Sequence, residues 1–169
     1  MQFLDEIEIH VPALRRYARA LTRDTDRADD LVQDCLERAI RKQALWQPTG
    51  SLKSWLFRIL LNLYRNELRT NRRRGEHVAV DTLLVEPSIA PAQPGRIALA
   101  EMSRAIDLLN TEQKEALLLV VLDGMSYAEA AEALSIPIGT LMSRLGRARA
   151  ALRTAVGGGT EEPCLRSVK

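Results

Sequence analysis

Residues 126–149 read SYAEAAEALSIPIGTLMSRLGRAR, and this stretch predicts two helices separated by a tight turn. Ser126 and Glu129 form the capping-box pattern S-x-x-E, which starts a helix by satisfying free main-chain N–H groups. Pro137 follows the end of that helix and fits the first turn of the next, because its fixed φ suits a helix start. The apolar side of the second helix consists of Ile138, Leu141, Leu145, Ala148 and Leu152.

The other side of this second helix carries hydroxyls and guanidiniums. Its members are Thr140, Ser143, Arg144 and Arg147. No acidic residue occurs between Glu132 and Glu161, which favours a polyanionic partner. In a helix-turn-helix, such a helix enters the DNA major groove and its arginines meet phosphates or guanine edges. We therefore predict DNA binding, although the same residues also fit an ordinary helical hairpin with a solvated basic face.

Composition limits the fold and the compartment. The chain has 169 residues, a net charge of +2 and only 4% aromatic residues, so its core must be built from Leu, Ala, Ile and Val. Helical spacing dominates and no run alternates as a strand would, which predicts an all-α fold. The N-terminus lacks the apolar segment of a signal peptide, and the longest apolar run, residues 116–122, is too short to cross a bilayer. We expect a soluble, cytoplasmic protein without membrane insertion.

Residues with reactive side chains do not cluster in the sequence. Cys35 lies in a helical pattern and Cys164 near the C-terminus, and neither has a C-x-x-C neighbour. Both are expected to be reduced thiols that bind no metal. His10 and His77 are isolated, and no phosphate-binding loop is present. We therefore expect no catalytic residues, no cofactor and no enzyme activity.

Two helices are predicted near the N-terminus. The first is marked by Val11, Leu14, Ala18 and Leu21, with Pro12 in its first turn. The second has an apolar stripe made of Ala28, Leu31, Val32, Cys35 and Ala39. The opposite face of this second helix, called the docking face below, consists of Asp30, Gln33, Asp34, Glu37 and Arg41.

A third helix is predicted from Leu52 to Asn71, with Thr49 or Ser51 as its cap. It is apolar over most of its surface, which indicates a buried position. Its narrow polar stripe consists of Arg58, Asn62, Arg65 and Arg69.

The character of the chain changes after this helix. Residues 75–95 hold three prolines, two glycines, three acids and no Lys or Arg, as is typical of a linker. Two more helices are predicted over 97–109 and 111–122, with Asn110 as a cap for the second. The sequence thus predicts two small helical domains, residues 1–74 and 97–155, joined by an extended linker over 75–96 and followed by a flexible tail over 156–169.

Three stretches together resemble the extracytoplasmic-function sigma factors, small two-domain bacterial promoter-specificity subunits of RNA polymerase. They are LVQDCLERAI (31–40), SLKSWLFRILLNLYRNELRTNRRR (51–74) and MSYAEAAEALSIPIGTLMSRLGRARAAL (125–152). The resemblance implies that residues 1–74 are sigma region 2 and residues 97–155 are sigma region 4. It also implies an alternative sigma factor that binds core RNA polymerase, directs promoter-specific transcription initiation and is controlled by an anti-sigma factor.

The resemblance also implies roles for individual residues. The docking face would bind the clamp coiled coil of the largest polymerase subunit, and the beta subunit would be a further partner. The polar stripe of the third helix, called the −10 stripe below, would contact promoter DNA, with Asn62 holding a base flipped out of the non-template strand during melting. The resemblance adds Met142 to the DNA-facing side of the last helix. The resulting −35 face consists of Thr140, Met142, Ser143, Arg144 and Arg147.

The sequence departs from the family pattern at two positions of the last helix. A basic residue is usual where Met142 stands and a larger side chain where Gly146 stands, so −35 recognition lacks one phosphate-type contact and one bulky contact. Primary sigma factors carry two adjacent tryptophans where this chain has Trp55 and Leu56. Trp55 is therefore expected to belong to the core, and melting is expected to rely on base capture.

Two other classes of protein fit parts of the sequence. A helix-turn-helix transcriptional regulator acting without polymerase would need only residues 97–155 and leaves the N-terminal half unexplained. A helical interaction protein, such as an anti-sigma factor or adaptor, would not need the uncompensated arginines over 144–153. Promoter binding with and without core polymerase distinguishes these classes.

Overall fold

The computed structural model describes residues 2–46, 50–75 and 94–156, and within these ranges the chain forms seven α-helices and no strand. The N-terminal group is α1 (Gln2–Thr22), α2 (Thr25–Arg41) and α3 (Leu52–Arg73), with a short 3₁₀ helix over Gln43–Leu45. The C-terminal group is α4 (Pro94–Asp107), α5 (Thr111–Val121), α6 (Tyr127–Leu134) and α7 (Ile138–Val156). The predicted all-α fold is confirmed. Most of the predicted linker and tail lie outside the described residues.

The start of α1 differs from the prediction. The helix begins at Gln2 rather than near Val11, and Pro12 lies inside it. The cause is packing at its N-terminal end, where Phe3 is buried and its ring lies 5.5 Å from that of Trp46. Burial on both sides of the proline holds the helix together although Pro12 cannot donate a main-chain hydrogen bond.

The start of α4 also differs, because this helix begins at Pro94 and not at residue 97. A proline is well suited to the first helical position, where its missing N–H would have no partner within the helix. The last three residues assigned to the linker are thus helical.

The N-terminal helices pack as a three-helix unit. Asp24 caps α2, accepting from the N–H groups of Asp26 and Arg27, and Ser51 caps α3 by accepting from the N–H of Ser54. The apolar stripe predicted for α2 is buried, including Cys35, whose thiol lies 3.4 Å from the carbonyl oxygen of Leu56.

The C-terminal helices include the predicted helix-turn-helix. Ser126 and Glu129 form the complete capping box at the start of α6, and Asn110 caps α5. Ser135 ends α6 in the left-handed conformation, with φ at 56°, which turns the chain sharply into α7. Leu141, Leu145 and Ala148 of α7 are buried as predicted, whereas Ile138 is 50% exposed because it lies at the first position of the helix.

The two helical groups pack directly against each other. The main contact is between α3 and α6, with a smaller one between α1 and α5. The buried apolar residues of both groups form one continuous cluster, so the side of α3 that faces away from α2 is covered by the helix-turn-helix.

Candidate polymerase and nucleic-acid interfaces

The docking face on α2 is fully open. All five of its residues are exposed, on the side opposite the buried stripe. Glu37 pairs with Arg41 at 3.0 Å and accepts from the side-chain amide of Gln33 at 3.4 Å, so these side chains are linked along the helix. The structure therefore brings the predicted residues together on one accessible, mainly acidic surface.

The −10 stripe on α3 is divided. Asn62 and Arg69 are exposed, but Arg58 and Arg65 are bound by the C-terminal helices. Arg65 donates from Nε at 3.1 Å to Oε1 of Glu115 and from Nη2 at 2.6 Å to Oε2 of the same carboxylate. Arg58 donates from Nε at 3.1 Å and from Nη2 at 2.8 Å to the main-chain carbonyl of Glu132. Half of the stripe is thus engaged within the chain.

Further polar contacts join the same two groups of helices. The hydroxyl of Tyr17 donates to the carbonyl of Glu115 at 3.0 Å, and Arg16 pairs with Asp123 at 2.6 Å. Lys53 donates to the carbonyl of Asp123 at 2.8 Å. Burial raises the pKa of the Asp123 carboxyl, although the hydrogen bond from Arg16 acts in the opposite direction. These contacts join α1 and α3 to α5 and to Asp123 just after its end.

The −35 face on α7 is open at Met142, Ser143 and Arg147, while Thr140 is half-buried. Arg144 differs from the others, because its side chain is only 14% exposed and pairs with Glu112 at 3.2 Å. Gly146 is exposed, and a Cβ added there would meet no atom within 4 Å. Packing therefore does not require a glycine at this position.

A cleft of about 330 Å³ lies where the −10 stripe meets the C-terminal helices. Its charged lining consists of Arg65, Arg69, Arg72, Glu112, Glu115 and Arg144. Basic side chains from both predicted DNA-reading helices thus converge on one cleft.

Trp55 is partly buried, and its ring lies 6.3 Å from that of Phe3 in an edge-on arrangement. This packing supports its assignment to the core. Cys35 is a free, buried cysteine, and burial raises the pKa of its thiol to about 12. Cys164 lies outside the described residues.

Comparison with known proteins places the two helical groups in one family. Residues 7–61 match the family described as the Sigma2 domain of PhyR, and residues 99–152 match Sigma-70, region 4. The ECF RNA polymerase sigma factor EcfG of Rhodopseudomonas palustris is 40% identical over 88% of this chain and 81% of its own length. The chain belongs to the extracytoplasmic-function sigma factors. The predicted resemblance is confirmed.

Two solved structures of sigma factors share the fold of this sigma factor. The sigma factor RpoE of Bartonella quintana, in complex with the anti-sigma factor NepR, is 36% identical with a TM-score of 0.74, over 94% of this chain and 99% of that one. CnrH, in complex with the cytosolic domain of CnrY, is 27% identical with a TM-score of 0.69, over 94% of this chain and 89% of that one.

The acidic side of the interface between the helical groups of this sigma factor was not predicted from the sequence. Glu115, Asp123 and Glu132 were not singled out, yet each binds a cation of α1 or α3 through its side chain or main chain. One signal was available, because Glu115 directly precedes the apolar run 116–122 and so had to enter the core with a partner.

The described residues of this sigma factor form neither a cluster of metal-binding side chains nor a membrane-spanning helix. Across residues 2–46, 50–75 and 94–156, no group of three His, Cys, Asp or Glu side chains is placed to hold a metal ion. Within the same ranges, no helix combines the length and apolar character needed to cross a bilayer.

Proposed function

We propose that this sigma factor binds core RNA polymerase through α2 and directs initiation by reading the −10 element with α3 and the −35 element with α7. The main support for the proposal is the exposure of the docking face. All five of its residues are exposed, on the side of α2 opposite the buried stripe. A side of a helix that is polar, linked by ion pairs and unused in the fold is available to a partner. Run-off transcription with core polymerase on a promoter library, with and without the protein, tests the proposal.

In the assembled complex, the docking face contacts the clamp coiled coil of the largest subunit, and the beta subunit supplies a further contact. Three carboxylates and one guanidinium on this face favour a basic partner surface. We assign sigma region 2 to residues 1–74 and sigma region 4 to residues 97–155, with residues 75–96 as the linker between them. The protein supplies promoter recognition and no catalysis of its own, and it acts in the cytoplasm.

Asn62 captures a flipped base of the −10 element. Its side chain is exposed on α3, between the engaged Arg58 and Arg65, so a base edge can reach its amide. The neighbouring stripe arginines neutralise phosphates of the melted strand. Duplex DNA of the −35 element binds α7, where Arg147 is exposed and free to reach a guanine edge or a phosphate.

An anti-sigma factor controls the protein. The proposal is supported by the two related sigma factors RpoE and CnrH, whose structures are complexes with NepR and with the cytosolic domain of CnrY. Binding of such a partner to the isolated chain is measured by co-purification with the anti-sigma factor encoded in the same genome.

Charge reversal at Asp30 and Asp34, to Lys at both positions, is expected to weaken assembly with core polymerase. Both side chains point away from the core, so the fold is retained, and each lost contact costs about 1 kcal/mol. Affinity for core enzyme is measured by fluorescence anisotropy of the labelled protein. The matched control reverses Asp5 and Glu8, two exposed acids on α1. If both double variants bind core equally well, the docking face is ordinary solvated surface.

A further inference from the structure

The contact between the two groups of helices uses the residues that are proposed to bind DNA. Two of the four residues in the −10 stripe, Arg58 and Arg65, donate their side-chain hydrogen bonds to acceptors on α5 and α6. The acceptors are a carboxylate and a helix-end carbonyl, which present oxygen atoms to a guanidinium much as a phosphate does.

The pair between Arg65 and Glu115 has the geometry of a strong contact. Both carboxylate oxygens accept from one guanidinium, at distances of 2.6–3.3 Å. The Glu115 side chain is 1% exposed, and the hydrogen bonds it accepts raise the pKa of the Arg65 guanidinium, so the arginine keeps its charge. Bidentate, charge-assisted contacts of this kind are among the stronger hydrogen bonds in proteins, so this pair favours the closed arrangement.

The contact made by Arg58 is of a different kind. Its acceptor, the carbonyl of Glu132, lies in the last turn of α6, at the negative end of the helix dipole, and also accepts from the N–H of Ser135 at 3.1 Å. Arg58 on α3 therefore caps the C-terminal end of α6, the first helix of the helix-turn-helix. The carboxylate of Glu132 adds a weaker contact at 3.7 Å.

We propose that this interface is an autoinhibitory latch, in which Glu115 and the end of α6 occupy the stripe arginines in place of promoter phosphates. The inference rests on the proposed role of the −10 stripe in DNA binding. Because Arg58 and Arg65 cannot bind both sets of acceptors with the same donors, closure and strand binding exclude each other. Opening the latch releases the −10 stripe and frees the helix-turn-helix from α3 in one step.

The test compares two isosteric changes on the same helix. Glu115→Gln removes the charge that holds Arg65 across the interface. Glu112→Gln is the matched control, because Glu112 pairs with Arg144 within the C-terminal group and its loss leaves the interface intact. Arg65→Gln removes the other partner of the same ion pair, on α3, where the arginine side chain is 28% exposed. This variant replaces Glu115→Gln in the test if Glu115→Gln fails to fold.

Opening is measured as the distance between spin labels at Arg38→Cys on α2 and Ala150→Cys on α7, two exposed positions. Cys164 is replaced by serine, while Cys35 stays unlabelled because it is buried and its thiol has a pKa of about 12. We expect a population at longer distance for Glu115→Gln and Arg65→Gln, and the wild-type distribution for Glu112→Gln. The wild-type distribution in both latch variants would overturn the latch and leave the −10 role to its own test.

Release of the stripe is measured as affinity for a fluorescent single-stranded oligonucleotide carrying the non-template −10 sequence of a promoter found by run-off transcription. Glu115→Gln is expected to bind it about tenfold more tightly than the wild-type protein, since a charge-assisted contact no longer competes. Adding Arg65→Ala should abolish that gain. If the latch opens in Glu115→Gln but the oligonucleotide is bound no more tightly, the latch is not inhibitory. If Arg65→Ala also leaves the affinity for the oligonucleotide unchanged, the proposed −10 role of Arg65 is wrong as well.

Discussion

Replacing Phe57 with alanine is expected to lower the free energy of unfolding by about 3–5 kcal/mol. Phe57 is fully buried in α3, and its ring lies 5.2 Å from the ring of Tyr17 in an edge-on arrangement. Truncation loses the transfer energy of the ring and leaves a cavity between α1 and α3. It also removes support from Tyr17, whose hydroxyl donates to the Glu115 carbonyl across the interface between the helical groups.

Equilibrium urea unfolding monitored by circular dichroism measures this change. Leu108→Ala is the control, because Leu108 is also a large apolar residue but is 80% exposed, and surface changes of this kind stay within about 0.5 kcal/mol. A loss below about 1 kcal/mol for Phe57→Ala, with an unchanged slope against urea, would contradict the packing of α1 against α3.

Features determined by near neighbours in sequence were predictable. The capping box of Ser126 and Glu129, the cap at Asn110 and the choice of Ser51 follow from side chains that bond within three residues along the chain. The buried stripe of α2 and the open docking face opposite it follow from helical periodicity alone. The family resemblance added the roles of these surfaces, and the relatives bear out the family.

Features determined by distant residues were not predictable. Arg65 and Glu115 are 50 positions apart, and Arg58 and Glu132 are 74 positions apart, so no local pattern connects them. Both arginines fit a solvent-exposed polar stripe equally well until the partner helices are placed. The early start of α1 has the same origin, because it depends on Phe3 reaching Trp46.

The two proposed promoter-reading helices should respond differently to alanine. Arg147→Ala is expected to weaken duplex binding by about 1–3 kcal/mol, selectively for the −35 sequence, if the guanidinium reads a base. If it holds a phosphate, the loss should be similar for all sequences and the salt slope should shrink by about one. Gel shifts of the holoenzyme on one promoter measure closed binding, with Arg153→Ala, an exposed change at the end of α7, as the control.

Asn62→Ala should leave that closed binding nearly unchanged and lower open-complex formation, measured by permanganate reactivity of the melted strand. The flipped base loses its hydrogen-bond partner only after the strands separate, so the effect must follow duplex recognition. Asn66→Ala is the matched control, because it makes the same truncation on α3 one turn further on, at another exposed asparagine outside the −10 stripe. If Asn62→Ala abolishes duplex binding while melting per bound complex stays normal, α3 does not act by strand capture.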